Sequence, residues 1–245
     1  YADFSGGIDI CRGIAEIMGI TMAENFKRPY FSKTLTEYWH RWHISLGDWL
    51  RNYLFYPISL SKPFLKMSKS MKKHGLKYLG KVFPVALASL ITFIVIGIWH
   101  GSQTKYIAFG LWNGLVIMIS SLLKPLTDKL TEKLRINREN IFYSAFCMVR
   151  TFIVVLIGYY FDIARGFKDA VSMIWRSIAD IHFADLASFS CLKKSGVDKF
   201  DYIIILAGCA VLFVISIVQE TKKDSVRNLL CRKSLPLQWL LYILL

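Results

Sequence analysis

Acidic residues are scarce in this sequence. Asp and Glu number 17 against 31 Lys and Arg, a formal net charge of +14 over 245 residues. In a soluble chain that balance would direct attention to nucleic acid. Here the positive charge sits between long apolar runs, where it orients a membrane protein, and no nucleic-acid partner is expected. Cysteine is sparse too. The five, Cys11, Cys147, Cys191, Cys209 and Cys231, are odd in number, and no pair has CxxC or zinc-ligand spacing. They read as inert small side chains. Motifs for covalent or nucleotide chemistry are missing: G-x-S-x-G, the P-loop, G-x-G-x-x-G and H-E-x-x-H are all absent. An enzyme built on this chain would have to use histidine directly. There is no initiator methionine and no signal peptide. The final run, LPLQWLLYILL, has no exit. The chain therefore reads as part of a longer membrane protein, cut at both ends. No repeat period or low-complexity tract is present.

What the sequence has in abundance is apolar residue, 54% of the chain with a mean hydropathy of +0.40. It collects in runs approaching the roughly 20 residues that cross a bilayer. Residues 83–99, 106–123, 141–161 and 202–218 read as spans, and a fifth begins at 236. HGSQTK makes a tight break between the first two. Residues 61–81 hold Lys62, Lys66, Lys69, Lys72, Lys73, Lys77 and Lys81 with no acid, and read as a cytoplasmic loop. Residues 124–140 and 219–235 are also net basic and fall on the same side. Residues 162–201 mix both signs and read as an outside segment with interfacial helices. The expectation is an all-α, multi-pass protein of the cell membrane, one integral domain over 1–245. Within it, 1–60 forms buried and interfacial helices and 82–245 forms spans and loops. The stretch IDICRGIAEIMGI, with Arg12 and Glu16 at i,i+4 spacing, is too polar to face lipid and belongs among other helices.

The costliest residues are concentrated in EYWHRWHISLGDWL, residues 37–50. Thr34-Leu35-Thr36-Glu37 fits a capping box, which starts a helix near Leu35. Pro57 should end it. On a wheel of roughly 100° per residue, Trp39, Trp42, Leu46, Trp49, Leu50, Tyr53 and Leu54 share one face. Glu37, Arg41, Asp48, Arg51 and Asn52 share the other. His40 falls at the polar edge, and His43 falls in the middle of the aromatic face. A plain reading makes His43 a core histidine bonded to a carbonyl, and the tryptophans an interfacial belt. The sharper reading is that ionisable groups at membrane depth mark functional paths. His43 and Asp48 have the spacing of a His–Asp acyltransferase pair, but one straight helix would point them apart. His40 and His43 at i,i+3 lack a third metal ligand, so no metal is expected.

A second histidine, His100, lies in IGIWHGSQTKYIAFGLWNG between Trp99 and Gly101. It reads either as a helix C-terminal histidine with Gly101 at the C′ position or as a general base.

These segments, together with YADFSGGIDICRGIAEIMGI and ENFKRPYFSKTLTEYWHRWHISLGDWLRNYLFYPI, resemble the membrane-bound O-acyltransferase family. The similarity is greatest to its bacterial alginate O-acetyltransferase branch and to its teichoic acid D-alanyl transferase cousins, over their C-terminal portion. It is dense over residues 1–120 and weaker over 141–175. The resemblance implies a helical membrane fold around a central funnel. It implies an acyl donor on the cytoplasmic side, such as acetyl-CoA or an acyl-carrier thioester, with no tightly bound cofactor. It implies an acceptor hydroxyl on an exported cell-surface polysaccharide, and a secreted SGNH-type or acyl-carrier partner protein beside membrane lipid. The family's W-H-G histidine falls on His100 and its W-H-x-S-L histidine on His43, as catalytic residues. Trp39, Arg41, Trp42, Asp48, Asn52 and Trp99 are the expected substrate-binding residues. His40 stands where an arginine is usual, and Pro57-Ile58-Ser59-Leu60 replaces proline-leucine-glycine-glycine. These differences bear on acceptor and partner. Three other readings stay open: a lipid acyltransferase of the same fold, a transport or export component with a histidine-lined path, and a purely structural member.

Overall fold

The computed structural model describes residues 2–180, 196, 198–222 and 226–244. The chain divides into two units, Tyr1–Asp180 and Ile181–Leu245. Among the described residues every regular element is helical, and an isolated antiparallel bridge joins Phe26 to Trp42.

The first unit opens with α1 (Ala2–Ile17), a 3₁₀ turn (Pro29–Phe31) and α2 (Leu35–Arg41). The expected capping box starts α2: the Thr34 hydroxyl accepts the Glu37 amide at 3.1 Å, and the Glu37 carboxylate accepts the Lys33 amide at 2.8 Å. The expected single helix to Pro57 does not form. It breaks at His43, whose backbone is left-handed at φ 45°, ψ 56°. A second helix, α3 (Ile44–Leu50), runs through a π turn (Arg51–Phe55) into α4 (Tyr56–Ser59). The break is held by the extended segment before it. Lys27 donates its amide to Arg41 O at 2.9 Å, and Ile44 donates to Asn25 O at 3.0 Å. Those long-range bonds replace the ones a continuous helix would make, a choice no local pattern records. Pro57 sits inside the second helix because the π turn before it has already shifted the hydrogen-bond register.

The stretch expected as a basic loop is also helical. Residues Lys62–Lys73 form α5, which turns back at Gly75 (φ +83°) onto α6 (Lys77–His100). The Ser68 hydroxyl donates to Gly80 O at 2.6 Å across that turn. A tight break then leads to α7 (Thr104–Leu122), followed by α8 (Lys124–Lys133), α9 (Ile141–Ile163) and the amphipathic α10 (Phe167–Ala179). The remainder of the segment expected as an outside stretch, 181–195 and 197, lies outside the described residues. The second unit contributes α11 (Lys199–Lys222), α12 (Val226–Cys231) and α13 (Leu235–Leu244).

Among the described residues four helices are long and apolar enough to cross a membrane: α6, α7, α9 and residues Phe200–Lys222 of α11. They match the four complete spans read from hydropathy, and they make this a membrane protein. α6 and α11 begin before the apolar runs read from the sequence and end past them, and helix covers nearly the whole of the other two, since backbone polar groups must be satisfied across the apolar layer. Along α9 the division of faces is plain. Phe142, Phe146, Val149, Ile153 and Leu156 are exposed on one stripe, while Cys147, Thr151, Val155, Gly158 and Phe161 are buried on the other. The buried stripes of α6, α7 and α9 meet α2 in one core containing Leu35, Tyr38, Phe93, Phe109, Val155 and Phe161.

Where α6 meets α7 the backbones nearly touch. A Cβ on Gly97 would lie 2.3 Å from Tyr106 O, and one on Gly110 would lie 2.3 Å from Phe93 O. Apolar attraction between helices is weak in lipid, so close backbone packing of this kind supplies association.

Candidate functional site

The broken helix, α6, α7 and α9 surround a cavity of about 770 Å³. Its wall follows α6 from Val85 to His100, roughly 22 Å at about 1.5 Å per residue. Of the residues singled out in the sequence, His43, His100, Trp39, Trp42, Asp48 and Trp99 line it. Arg41 and Asn52 do not line it. Arg41 donates to Glu37 Oε1 at 2.7 Å and toward Arg28 O at 3.4 Å, so it holds the turn before α2. Asn52 is exposed in the π turn. His40, placed by the wheel at a polar edge, lines the cavity as well. His43 and Asp48, which a straight helix would point apart, line the same space because the helix breaks between Arg41 and Ile44.

His43 owes its place to the break. A non-glycine residue held left-handed costs on the order of 1–3 kcal/mol and persists only where its surroundings over-determine it. Here Asn25 does so. Its Oδ1 accepts the Ser45 amide at 3.0 Å and the Ser45 hydroxyl at 2.6 Å, and lies 3.3 Å from His43 Nδ1. An amide oxygen only accepts, so this contact keeps the His43 proton on Nδ1 and leaves the Nε2 lone pair for a ligand. Phe4 and Phe26 flank the ring at centroid distances of 5.1 and 6.4 Å. Burial, and then the nearby His100, push the His43 pKa below its ordinary 6.5. The imidazole is therefore neutral at neutral pH.

His100 is the last residue of α6. Its ring is set against Trp99, Tyr106 and Phe109 at 5.0, 6.2 and 5.2 Å between centroids. Gly101 is not the left-handed C′ glycine that a helix-end reading expects; its backbone lies at φ 158°, ψ 168°, a positive-φ conformation that side-chain-bearing residues rarely adopt. Both the backbone and the space demand glycine there, because a Cβ would also meet the Tyr106 ring at 2.6 Å.

Trp39 and Trp42 are packed against the core. Trp39 donates Nε1 to the buried Asn113 Oδ1 at 3.2 Å, while Asn113 Nδ2 donates to Phe109 O at 2.9 Å. Trp42 stacks on Tyr38 at 5.8 Å and 16°. Tyr38, only 1% exposed, shares a 2.8 Å hydroxyl contact with Tyr159, and burial drives its phenol pKa far upward. Trp99 and Trp49 are the exposed members, Trp99 at the cavity edge beside His100. Asp48 pairs with Arg51 at 2.8 Å.

Sequence reasoning missed Asn25, Asn113, Lys105 and Asp162. Asp162 lines the cavity with its Oδ1 3.9 Å from His100 Nδ1. Lys105 is buried and donates Nζ to Asp162 O at 2.9 Å and to Ala164 O at 2.7 Å. Both are ionisable groups at the ends of apolar spans, and the test of cost at membrane depth that singled out the histidines applies to them equally. Asn25 carries no such signal, since its role depends on the fold alone. Among the described residues no three His, Cys, Asp or Glu side chains come together as a metal-ligating group.

No family model matches the chain. It is similar to the probable alginate O-acetylase AlgI of Pseudomonas syringae pv. tomato, 29% identical over 93% of this chain and 38% of that protein. It is similar to the same-named protein of Pseudomonas aeruginosa, 31% identical over 86% of this chain and 34% of that one. It is also similar to the teichoic acid D-alanyltransferase of Bacillus subtilis, 27% identical over 68% of this chain and 39% of that protein. The chain thus spans between 34% and 39% of the length of these curated relatives.

Proposed function

We propose, from the premise that this chain belongs to the membrane-bound O-acyltransferase family, that it carries the histidine centre of a membrane O-acyltransferase acting on a cell-surface polysaccharide. The observation that carries the reading is that His43 and His100, far apart in sequence, line one aromatic-walled cavity running along α6. The names of the relatives, an alginate O-acetylase and a teichoic acid D-alanyltransferase, favour a glycan or cell-wall polymer as acceptor, and the first of them favours acetyl as the group moved.

In this reading His100 takes the proton of an acceptor hydroxyl. The oxygen attacks the carbonyl of a thioester donor, acetyl-CoA or an acyl-carrier thioester. A new C–O bond forms and the C–S bond breaks. The proton held on His100 then passes to the departing thiolate. His43, with Nδ1 committed to Asn25, accepts a hydrogen bond at Nε2 from the acceptor and orients it. Its remaining lone pair suits that role better than donation to a developing oxyanion. Trp39, Trp42 and Trp99 exclude water, which strengthens each polar contact and lets positioning contribute several kcal/mol. The lysine-rich α5, and residues 124–140 and 219–235, lie on the cytoplasmic side with the donor. A secreted SGNH-type or acyl-carrier protein is the partner.

The test is acyl transfer by His100→Ala in the complete protein at matched accumulation, read as O-acylation of surface glycans by mass spectrometry. Loss of a general base costs about 10²–10⁴-fold. Turnover above about a tenth of wild type would remove His100 from the base role.

A further inference from the structure

We infer that Asp162 is a positioning residue for His100: its carboxylate faces Nδ1 and supports the imidazolium that forms when the acceptor proton is taken. The inference rests on the reading of His100 as the base. Three observations carry it. Asp162 Oδ1 is 3.9 Å from His100 Nδ1, and both residues line the same cavity. The approach is to Nδ1, so Nε2 is left for the hydroxyl. And Asp162 is itself anchored, because its main-chain oxygen takes a 2.9 Å hydrogen bond from the buried Lys105 ammonium, which also binds Ala164 O at 2.7 Å. Lys105 thereby neutralises the carbonyl end of α9 where the dipole is negative, and ties the first turn of α7 to the residue that faces His100.

At 3.9 Å the pair is within ion-pair reach and beyond a hydrogen bond. Such contacts commonly tighten only when substrate is bound. What the carboxylate supplies at this range is charge, which counts when the histidine becomes cationic in the transition state and little before it. The chemistry is a proton moving from a hydroxyl to His100 Nε2. His43, His40, Asp48, Arg51 and Tyr159 also line the cavity, and Tyr106 stacks on the His100 ring.

The experiment compares Asp162→Asn, Asp162→Glu and His100→Ala in the complete membrane protein, with kcat and the donor KM measured separately. Asp162→Asn keeps the size and the main-chain anchor to Lys105 while removing the charge. It should lower kcat about ten- to a hundredfold and leave the donor KM within about twofold. Asp162→Glu, which returns the charge on a longer arm, should recover most of that loss. A wild-type kcat in Asp162→Asn with an inactive His100→Ala would overturn the role of Asp162 and leave the base reading standing. Equal losses in Asn and Glu variants would make the residue structural and overturn it too. An active His100→Ala would take down both readings together.

Discussion

Substituting Gly110 by alanine isolates what holds the two cavity-bearing helices together. The added Cβ would lie 2.3 Å from Phe93 O, 3.0 Å from Phe93 C and 3.2 Å from Ile94 Cα. Ordinary carbon–oxygen approach is about 3.3–3.6 Å, so the overlap is roughly 1 Å. Every atom in the way is backbone, and no side chain can rotate aside. The helices must part by about that distance, and Gly97 must give up its own contact with Tyr106 and Gly110. Overpacking a rigid interior costs about 1–3 kcal/mol, and this case belongs at the upper end. For a chain of this size that corresponds to a Tm lower by roughly 6–12 °C. His100 ends α6 at the turn into α7, so the splaying also moves it against Trp39 and Asp162; a 1 Å misplacement costs up to about 10²-fold in rate. The assay is the folded fraction of the detergent-solubilised protein against temperature, with acyl transfer in parallel. Gly114→Ala should be milder, since its nearest obstacle is the Leu90 side chain at 2.7 Å. Gly13→Ala is the control: nothing lies within 4 Å of its Cβ, and alanine favours the helix by up to about 1 kcal/mol. If Gly110→Ala melts with Gly13→Ala, backbone contact between α6 and α7 is not what holds them.

Lys105→Met should cost about 1–3 kcal/mol in the same melting assay, because Asp162 O and Ala164 O lose a charged donor in a buried place; an unchanged Tm would refute the clamp. The His43 pKa is depressed in the fold, so the unfolded chain binds the proton first as pH falls. Its contribution to stability is complete above the ordinary 6.5 and is lost below it. Wild type should therefore lose more Tm than His43→Gln between about pH 7.5 and about pH 5.5, and equal losses would contradict a buried neutral imidazole. Ser70 is exposed on α5. Placed in a background without native cysteines, Ser70→Cys should resist a membrane-impermeant thiol reagent in intact cells and react in inverted vesicles; the opposite pattern would invert the topology.

The sequence by itself determined the spans, the basic segments between them, the start of α2 at Thr34 and the two histidines. Each is a local or composition-level property. A lipid-crossing helix announces itself by length and hydropathy, and a cap is decided by residues within one turn. Lys105 and Asp162 were legible by the same cost argument, though their partnership was not. The rest was decided by tertiary structure. The helix through residues 37–54 has an unbroken amphipathic pattern, yet it breaks at His43 because Asn25 and Lys27, more than a dozen residues upstream, supply the hydrogen bonds that make a left-handed histidine affordable. That break moves His43 off the straight helix the wheel assumed and lets it line one cavity with Asp48, while Arg41 keeps to the polar face the wheel gave it, paired with Glu37. Likewise nothing local pairs His100 with Asp162, sixty-two residues on. They meet because small residues let α6 and α7 pack backbone to backbone, and a buried lysine fastens the end of α9 beside the turn between them. Periodicity records which face of an element is apolar; only packing decides where two elements exchange hydrogen bonds, and the site is made of those exchanges.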